Sequence, residues 1–302
     1  LTREAGFYFY FSRKIRELRE CGHEGTARAY ASSLRSMQRY LGKKDFPFIK
    51  LSSRIISDYQ GKLLASGICD NTIGFYLHNI KALFRKGCRE MGLELPCPFR
   101  DISIKTEKTL KRSLDPVVIK TLSAIELEKD SPLSLARDIF MFSFYTRGMS
   151  FVDIALLKKR HVFPGEICYR RHKTDQLMRV GINKEISRIL ERYKNVPGEY
   201  IFPLFPAERD PYAGYRSAYH RIRYSLGKIS RVIGLEFPLR LHAARHSWAT
   251  IAKVNGASVH VIGECLGHTS EKTTRIYLKE LDHSALDAVN NQVADFILAV
   301  DD

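Results

Sequence analysis

Residues 241–250 read LHAARHSWAT and begin a predicted helix that extends from Leu241 to Val254. His242 and Arg245 stand three positions apart in this helix, so both side chains leave it on the same face. The guanidinium presents a planar fork that matches two phosphate oxygens, and the imidazole can donate a hydrogen bond to the same oxygens. This face is therefore a candidate site for a phosphate group.

A second histidine stands at a corner downstream of this helix. A short helix is predicted over Val259–Leu266, and Gly267 ends it as a C-terminal glycine does. His268 follows directly, and Thr269 or Ser270 can cap the helix that comes next. The corner thus places His268 between two helices.

A tyrosine follows His268 by nine positions. Tyr277 belongs to the segment TTRIYL, residues 273–278, within a helix predicted over Lys272–Lys279. A last amphipathic helix is predicted over Leu286–Val300. This tail can pack on its own domain or dock on a neighbouring protomer.

A small sheet is predicted upstream of these helices. Short apolar runs at His161–Arg170 and Met178–Ile182, with Pro164-Gly165 as the first turn, indicate antiparallel strands. The second turn contains Lys173. The predicted helices around the sheet begin at Asp115-Pro116 and continue with Ser134–Tyr145, Phe151–Lys158, Lys184–Lys194 and Tyr212–Ile233.

The first hundred residues predict a bundle of four helices. They span Phe7–Arg19, Thr26–Tyr40, Leu51–Leu64 and Thr72–Met91, with Asp70 or Asn71 as the cap of the last one. The outer side of that last helix carries four basic residues, Lys81, Arg85, Lys86 and Arg89. Such a bundle can clamp DNA, although an ordinary solvated surface explains each of these residues equally well.

A basic stretch separates the two parts of the chain. Residues 102–114 read ISIKTEKTLKRSL, show little helical periodicity and carry Lys105, Lys108, Lys111 and Arg112. We therefore predict a helical DNA-binding domain over residues 1–102, an extended linker over 103–114 and a second domain over 115–302. The charge of the linker suits a path along a phosphate backbone and suits a solvated connection equally well.

The whole chain is basic, with 49 Lys and Arg against 33 Asp and Glu and a formal charge of +16. Residues 1–100 hold 18 basic and 9 acidic residues, and the remainder holds 31 and 24, so both parts are positive. A polyanion that touches both, most commonly nucleic acid, is the expected partner. No apolar run is long enough for a membrane span and no signal peptide is visible. Six scattered cysteines suit reduced thiols in a cytoplasmic protein better than disulfides or a zinc ribbon.

The order of motifs resembles a known signature. H-x-x-R, then L-G-H roughly twenty residues later, then a tyrosine about nine residues on resembles the tyrosine recombinases, also called the phage integrase family. The resemblance covers essentially the whole chain. It implies a mainly α-helical fold with a small antiparallel β-sheet: an N-terminal helical core-binding (SAM-like) bundle and an α+β catalytic domain.

The resemblance also implies roles for the site residues. Tyr277 would be the nucleophile, and Arg245, His242 and His268 would stabilise the phosphoryl-transfer transition state. Lys173 would protonate the leaving 5′-oxygen; the alternative is a solvated turn lysine. The product would be a 3′-phosphotyrosine, whose bond energy allows rejoining without ATP.

Neither a metal nor another cofactor is expected. His242 and His246 stand four positions apart, as in the zinc motif H-E-x-x-H, but Ala243 occupies the place of its glutamate.

One part of the family pattern is broken. The family has a second catalytic arginine, which normally lies in a segment like G-L-R-x-S-E-L. When the two sequences are aligned on Gly148, Asp153 takes the place of the usual Glu, and Ser150 stands where the arginine belongs. Arg147 lies three residues upstream and shares a face with Ser150 if the backbone there is helical or turn-like. We hypothesise that Arg147 supplies the missing charge; alternatively, it pairs with an acidic residue or contacts DNA elsewhere. This variant resembles the integrases and invertases of mobile elements in Bacteroides-type bacteria.

The main prediction is site-specific recombination of double-stranded DNA by integration, inversion or excision. It implies four copies of the chain on paired sites, in the cytoplasm at the nucleoid, with an accessory DNA-bending protein as a possible partner. One alternative is a type IB topoisomerase-like relaxase, which shares the chemistry but acts as a monomer. The other is a DNA-binding regulator that has lost catalysis, although a mere binder does not need Tyr277, Lys173, His242, Arg245 and His268 together.

Overall fold

The computed structural model describes residues 6–105, 107, 113–205, 211–268, 270–278, 291 and 293, with only the backbone at 211–213, 276 and 277. The chain divides into two compact units between residues 109 and 110, within the stretch predicted as a linker. Lys105 is exposed. The other three basic residues of that stretch, Lys108, Lys111 and Arg112, lie outside the described residues.

The first unit is a bundle of four helices: α1 (Phe7–Glu20), α2 (Glu24–Leu41), α3 (Ser53–Ala65) and α4 (Asp70–Met91). Helix α2 packs against α1, α3 and α4. Large aromatic side chains fill the centre of the bundle: Phe7, Tyr10, Phe11, Phe48 and Tyr59. Edge-to-face contacts, such as that between Phe7 and Phe48 with ring centroids 4.9 Å apart, make this packing specific. The four predicted helices are present in the predicted order.

The start of α1 is held by a residue far along the chain. Asp45 accepts hydrogen bonds from the backbone N–H groups of Tyr8 at 2.8 Å and Phe9 at 2.9 Å. A carboxylate there satisfies open donors of the first turn and suits the positive end of the helix dipole. At α4 the predicted cap is wrong, because Cys69 occupies the N-cap position and Asp70 lies in the first turn. The charge of Asp70 still stabilises that end of the helix.

Part of the stretch predicted as a linker lies along the first unit. Ile102 packs against the core of the bundle, and Gln60 Nε2 donates to the Ser103 carbonyl at 2.9 Å. Asn71 exchanges two hydrogen bonds with the backbone of Glu107, both at 3.1 Å. These contacts associate residues 102–105 and 107 with the four helices.

The second unit is built around one central helix. Its helices are α5 (Pro116–Ala124), α6 (Pro132–Tyr145), α7 (Phe151–Ala155), α8 (Lys184–Arg192), α9 (Pro211–Val232), α10 (Leu241–Val254), α11 (Val259–Leu266) and α12 (Glu271–Tyr277). Helix α6 contacts α5, α7, α8, α9 and α10. Its residues 139–142 are all buried, because α6 has apolar side chains on every side. The predicted bounds of α10 and α11 are confirmed.

The predicted antiparallel sheet is confirmed, with strands β1 (Val162–Phe163), β2 (Glu166–Arg170) and β3 (Leu177–Gly181) in the order β1-β2-β3. Its register pairs Ile167 with Val180 and Tyr169 with Met178, and all four side chains are buried. The buried pairs alternate with more exposed ones, as the two-residue period of a strand requires. Lys173 lies in the turn between β2 and β3, as predicted.

The predicted helix Phe151–Lys158 is wrong at its C-terminal end, since α7 stops at Ala155. The following backbone bonds to another segment instead. Ile201 N donates to Leu157 O at 3.1 Å, and Lys159 N donates to Glu199 O at 2.8 Å. These long-range bonds satisfy backbone groups that a longer helix would have used.

Two predictions concern the end of the chain. Thr269 lies outside the described residues, and Ser270 occupies the N-cap position of α12 without a side-chain hydrogen bond to the helix. The predicted tail helix Leu286–Val300 lies outside the described part of the chain, apart from residues 291 and 293. No helix in the described residues combines the length and apolar character needed to cross a bilayer.

Candidate active site

Arg245 is a buried cation, with 5% of its surface exposed. It leaves α10 in the second turn, and backbone carbonyls hold both of its terminal nitrogens. Nη1 donates to Gly148 O at 2.8 Å, and Nη2 donates to Leu266 O at 2.6 Å. The Leu266 carbonyl lies at the C-terminal end of α11, where the helix dipole favours a positive charge. The guanidinium is therefore fixed in one orientation by two separate segments.

Position 148 requires glycine for this contact. A Cβ at Gly148 would lie 2.6 Å from Arg245 Cγ and 2.8 Å from its Cα, which is too close for any side chain. The φ angle of Gly148 is +75°, in the left-handed region that favours glycine. The absent side chain thus lets the loop between α6 and α7 approach α10 and offer a carbonyl to Arg245.

His268 lies in the turn that follows α11, and its side chain contacts Arg245. Its Nε2 lies 2.9 Å from Arg245 Nη2, and its Nδ1 lies 3.0 Å from the hydroxyl of Thr274. Because arginine only donates, Nε2 accepts, and we infer that the proton of the ring is on Nδ1 and points to Thr274. The imidazole is neutral in this arrangement.

The pKa of His268 agrees with a neutral ring. Burial, and then the charges of Arg245, Arg171 and Lys173, lower this pKa to about 4. Without a bound anion, the His268 ring is therefore neutral near pH 7. A phosphate beside the ring would raise the pKa again, because a negative charge favours the protonated imidazole.

His242 and Arg245 share a face of α10, as predicted, and line the same cavity of about 250 Å³. The His242 ring packs edge to face on His246, with centroids 4.8 Å apart. Desolvation by the surrounding protein atoms lowers the pKa of His242 below its ordinary value. Smaller contributions in the same direction come from the charges of His246, Arg245 and Lys173. The residue is nevertheless exposed, so solvent moderates this shift. Within the described residues, no group of three or more His, Cys, Asp or Glu side chains could hold a metal ion.

Lys173 is exposed at the tip of the β2–β3 turn. Two backbone hydrogen bonds close this turn, from Arg171 N to Gln176 O at 2.9 Å and from Asp175 N to Arg171 O at 2.8 Å. The charge of Lys173 also lowers the pKa values of His242 and His268, although burial and the other charged groups have larger effects. Arg245 thus contacts His268 and shares a cavity with His242, and Lys173 acts on both histidines through its charge. We call these four residues the Arg245 cluster: Arg245, His242, His268 and Lys173.

Arg147 and Ser150 lie in a turn-like segment and not in a helix. Arg147 has a φ angle of +59°, and Gly148 is also left-handed, so the chain turns sharply after α6. Ser150 is the N-cap of α7, and its hydroxyl lies 2.6 Å from Asp153 Oδ2. Asp153 is buried, and its Oδ1 accepts a hydrogen bond from His172 N at 2.8 Å. The acidic residue thus ties α7 to the turn that carries Lys173.

The Arg147 side chain is half-buried and forms no ion pair with a carboxylate among the described residues. The charge of Arg147 acts on the buried ring of Tyr169, as do the charges of Arg171 and Arg245. Burial and the Asp153 carboxylate raise the pKa of Tyr169, and the charges of Arg171, Arg245 and Arg147 oppose that rise. The charges of these three arginines therefore all act on Tyr169.

Tyr277 is the last residue of α12, and its side chain lies outside the described part of the chain. Helix α12 contacts α10 and α11. Thr274, one turn before Tyr277, is fully buried and hydrogen-bonded to His268. The backbone of Tyr277 thus follows a residue that contacts the Arg245 cluster.

The predicted DNA-binding residues of α4 lie on its outer face. Arg85, Lys86 and Arg89 are exposed, and Lys81 is half-buried. Buried apolar residues such as Leu77 occupy the opposite face of the helix. None of these four basic residues forms an ion pair within the described residues.

A basic groove on α9 was missed by the sequence prediction. It has a volume of about 380 Å³, and we call it the α9 groove; its lining residues are His220, Arg223, Tyr224, Gly227, Lys228, Arg231 and Arg240. The signal was present in the sequence, because these α9 residues recur at steps of three and four and alternate with buried ones such as Ile222 and Leu226. Arg240 stands two residues before His242, so the groove reaches the helix that carries Arg245.

Arg171 and Thr274 were also missed. Arg171 is 8% exposed, and its Nη1 donates to the Gly267 carbonyl. No sequence signal points to this contact, because its partners are 96 residues apart. Thr274 carries no charge and belongs to a short helix, so only the fold reveals that it meets His268.

Two parts of the amino-acid sequence match known protein families. Residues 113–283 match the Phage integrase family, and residues 6–99 match the Phage integrase SAM-like domain. The chain belongs to the phage integrase family. This integrase-family chain is 26% identical to the tyrosine recombinase XerC of Shewanella oneidensis, over 72% of this chain and 70% of that one. It is 24% identical to the tyrosine recombinase XerD of Pseudomonas putida, over 84% and 86% of the two chains.

Solved structures share the fold of this integrase-family chain. The Tn1549 transposon integrase, in complex with a circular intermediate DNA, superposes with a TM-score of 0.69 at 15% identity, over 95% of this chain and 99% of that one. The lambda integrase, in a tetramer bound to a Holliday junction, gives a TM-score of 0.65 at 16% identity, over 92% and 78% of the chains. The mainly helical fold with a small antiparallel sheet is therefore that of the integrases.

Proposed function

We propose that the Arg245 cluster and Tyr277 form the catalytic centre with which this chain cuts and rejoins DNA. The chain is a tyrosine-type site-specific DNA recombinase, as its family and its XerC and XerD relatives support. The observation that carries the proposed centre is the fixed guanidinium of Arg245, held by two carbonyls and by His268. A preorganised buried cation stabilises charge that develops on phosphate oxygens without any reorganisation during the reaction.

The proposed cleavage is an in-line displacement at phosphorus. The phenolic oxygen of Tyr277 gives its proton to solvent water and forms a bond to the scissile phosphorus, while the bond from phosphorus to the 5′-oxygen breaks. Lys173 gives a proton to that leaving oxygen. The products are a 3′-phosphotyrosine and a free 5′-hydroxyl, and the reverse reaction with a second strand rejoins the DNA without ATP.

The histidines take part through a change of charge state. His268 is neutral without DNA, and its Nε2 accepts from Arg245. The negative phosphate raises its pKa, so Nε2 can gain a proton, give up its hydrogen bond from Arg245 and donate to a phosphate oxygen in the loaded site. The carbonyls of Gly148 and Leu266 still hold Arg245 in that state. His242, exposed in the neighbouring cavity, is placed for a second such contact.

Arg147 supplies the charge that Ser150 lacks. Support comes from its position before Gly148, whose carbonyl holds Arg245, and from its effect on Tyr169 alongside Arg245. A carboxylate partner, which would compete with a phosphate, is not found for Arg147 among the described residues.

The remaining basic surfaces bind the DNA backbone. Exposed Lys and Arg side chains neutralise phosphates and fix the register of the protein on the duplex. The α4 face with Lys105 does so in the first unit, which we assign as the core-binding domain, and the α9 groove does so in the second. We further propose that four copies act on paired sites, because each strand exchange needs two cleaved duplexes.

Covalent capture tests the proposed centre. The protein is incubated with a library of nicked duplexes, SDS-resistant adducts are isolated, and the attached DNA is sequenced to identify the site. Wild type and Tyr40→Phe, which removes a hydroxyl in the first unit, should form the adduct, and Tyr277→Phe should not. An adduct that persists in Tyr277→Phe would refute the assigned nucleophile, and no adduct in any variant would favour the regulator.

A plasmid assay separates the recombinase from the relaxase. Two captured sites are placed on one supercoiled plasmid. Exchange between them gives inverted or excised products, whereas a relaxase gives only relaxed plasmid of unchanged sequence.

A further inference from the structure

Arg171 is a buried cation outside the set of residues assigned above. It directly follows β2 and is 8% exposed. Its Nη1 donates to the carbonyl of Gly267, the residue before His268. Within the described residues it forms no ion pair with a carboxylate. Burying an arginine without a carboxylate partner costs free energy that an apolar side chain would avoid, so its charge and shape call for an explanation.

The side chain of Arg171 fits closely into the corner before His268. Gly267 has a φ angle of +62°, and a Cβ there would lie 2.8 Å from Arg171 Cδ. The same Cβ would lie 2.8 Å from the sulfur of Met178 on β3. Glycine thus permits both the left-handed backbone and the contact with the sheet.

The backbone of Arg171 forms the base of the turn that carries Lys173. Its N–H and its carbonyl make the two hydrogen bonds that close this turn. One residue therefore holds the turn through its backbone and the Gly267–His268 corner through its side chain.

We propose that Arg171 is a positioning residue that fastens the Lys173 turn to the Gly267–His268 corner, so that Lys173 and His268 keep their places beside Arg245. This inference rests on the proposed function, in which Lys173 protonates the leaving oxygen. The charges that face His268 agree with the arrangement: Arg245 from α10, and Arg171 and Lys173 from the turn, with the neutral Thr274 from α12.

A substrate that needs no acid provides the decisive test. In it, sulfur replaces the bridging 5′-oxygen at the captured site, and the thiolate leaves without a proton. The rate of covalent adduct formation is measured on the oxygen and sulfur substrates for wild type, Lys173→Ala, Arg171→Met and Arg245→Gln. Arg179→Met serves as the matched control, because Arg179 is exposed on β3 and pairs only weakly with Glu166 at 3.4 Å.

We expect Arg171→Met to slow cleavage of the oxygen substrate by at least about tenfold, because a displaced Lys173 loses part of a general-acid contribution of about 10²–10⁴-fold. The sulfur substrate should restore most of that loss in Arg171→Met and Lys173→Ala but not in Arg245→Gln, and Arg179→Met should resemble wild type on both. A merely structural role would slow both substrates equally, and that result would overturn the inference. A wild-type rate on the oxygen substrate would overturn it as well.

Two further comparisons keep the test decisive. If Arg171→Met does not fold, Arg171→Lys is used; it keeps the charge but is shorter, and the same selective rescue by sulfur is expected. If wild type forms no adduct with either substrate, the proposed function fails. If wild type is active and the sulfur substrate rescues Lys173→Ala only, the role of Arg171 alone fails.

Discussion

The recombinase holds positive charge in two different ways. Arg245 and Arg171 are buried, and backbone carbonyls at the end of α11 hold them in place. On the outer face of α4, Arg85 and Arg89 are exposed, so their charged groups are surrounded by solvent. A fixed cation in a water-poor site stabilises a transition state, whereas an exposed one contributes affinity that salt screens. Burial therefore separates the residues expected to control rate from those expected to control binding.

The largest expected effect comes from Arg245→Lys, which keeps the charge but loses the fork. A lysine cannot reach Gly148 O and Leu266 O at once, so the cation is no longer fixed. Adduct formation on the captured site should slow by on the order of 10²–10³-fold, while DNA affinity changes little. Arg231→Lys, in the exposed α9 groove, is the control and should leave the rate unchanged. A loss of affinity equal to the loss of rate would contradict the distinction.

Gly148→Ala should disrupt the contact between Gly148 and Arg245 by changing the loop instead of the arginine. Its Cβ would collide with Arg245, and its φ angle is left-handed, so we expect the free energy of unfolding to fall by about 2–4 kcal/mol. Gly165→Ala is the matched control, because Gly165 is also left-handed, at +84°, but has no atom within 4 Å of an added Cβ. It should cost only about 1–2 kcal/mol. Urea denaturation of both variants measures the difference, and equal losses would show that the contact with Arg245 is unimportant.

Arg147→Gly should separate function from stability. Arginine at a left-handed φ angle is strained by about 1 kcal/mol, and glycine relieves this strain. We expect the unfolding midpoint to stay the same or rise while adduct formation slows by on the order of 10-fold or more. An unchanged cleavage rate would remove Arg147 from the catalytic centre.

The exposed charges should act on binding alone. Arg223→Gln, Lys228→Gln and Arg231→Gln together remove three cations of the α9 groove. The slope of log affinity against log salt should decrease by up to about 0.9 for each phosphate that the groove no longer neutralises, without a change of cleavage rate on saturating DNA. Arg188→Gln on α8, where Arg188 pairs with Glu185 at 2.9 Å, is the control. A slope that matches wild type would mean that the groove does not contact the DNA backbone.

Whether a feature could be predicted from the sequence depends on whether it arises from local signals or from contacts between distant segments. The bounds of α10 and α11 and the place of Lys173 followed from local signals: the C-terminal glycine at 267, helical periodicity and the turn residues at 164–165. The α9 groove was equally local and could have been found. The contacts of Arg171 with Gly267 and of Asp45 with α1 join distant segments, so no local pattern predicts them. The early end of α7 has the same origin, since the backbone of Leu157 and Lys159, which follow it, bonds to residues 201 and 199.

The smallest expected effect is the response of stability to pH. The pKa of His268 is about 4 in the folded chain, below its ordinary value of about 6.5, so the unfolded chain binds this proton more readily. The contribution of a neutral His268 is therefore fully present above pH 6.5 and is lost as the pH falls toward 4. Trp248 is the only tryptophan and packs against the apolar residues of α10, α11 and the end of α12, so its fluorescence reports on this region. Urea unfolding followed by Trp248 should show that wild type loses more stability between pH 7 and pH 5 than His268→Gln, by on the order of 1 kcal/mol. Equal losses in the two proteins would mean that His268 is already free to accept a proton before DNA binds, and the buried cations around it would then not control its charge.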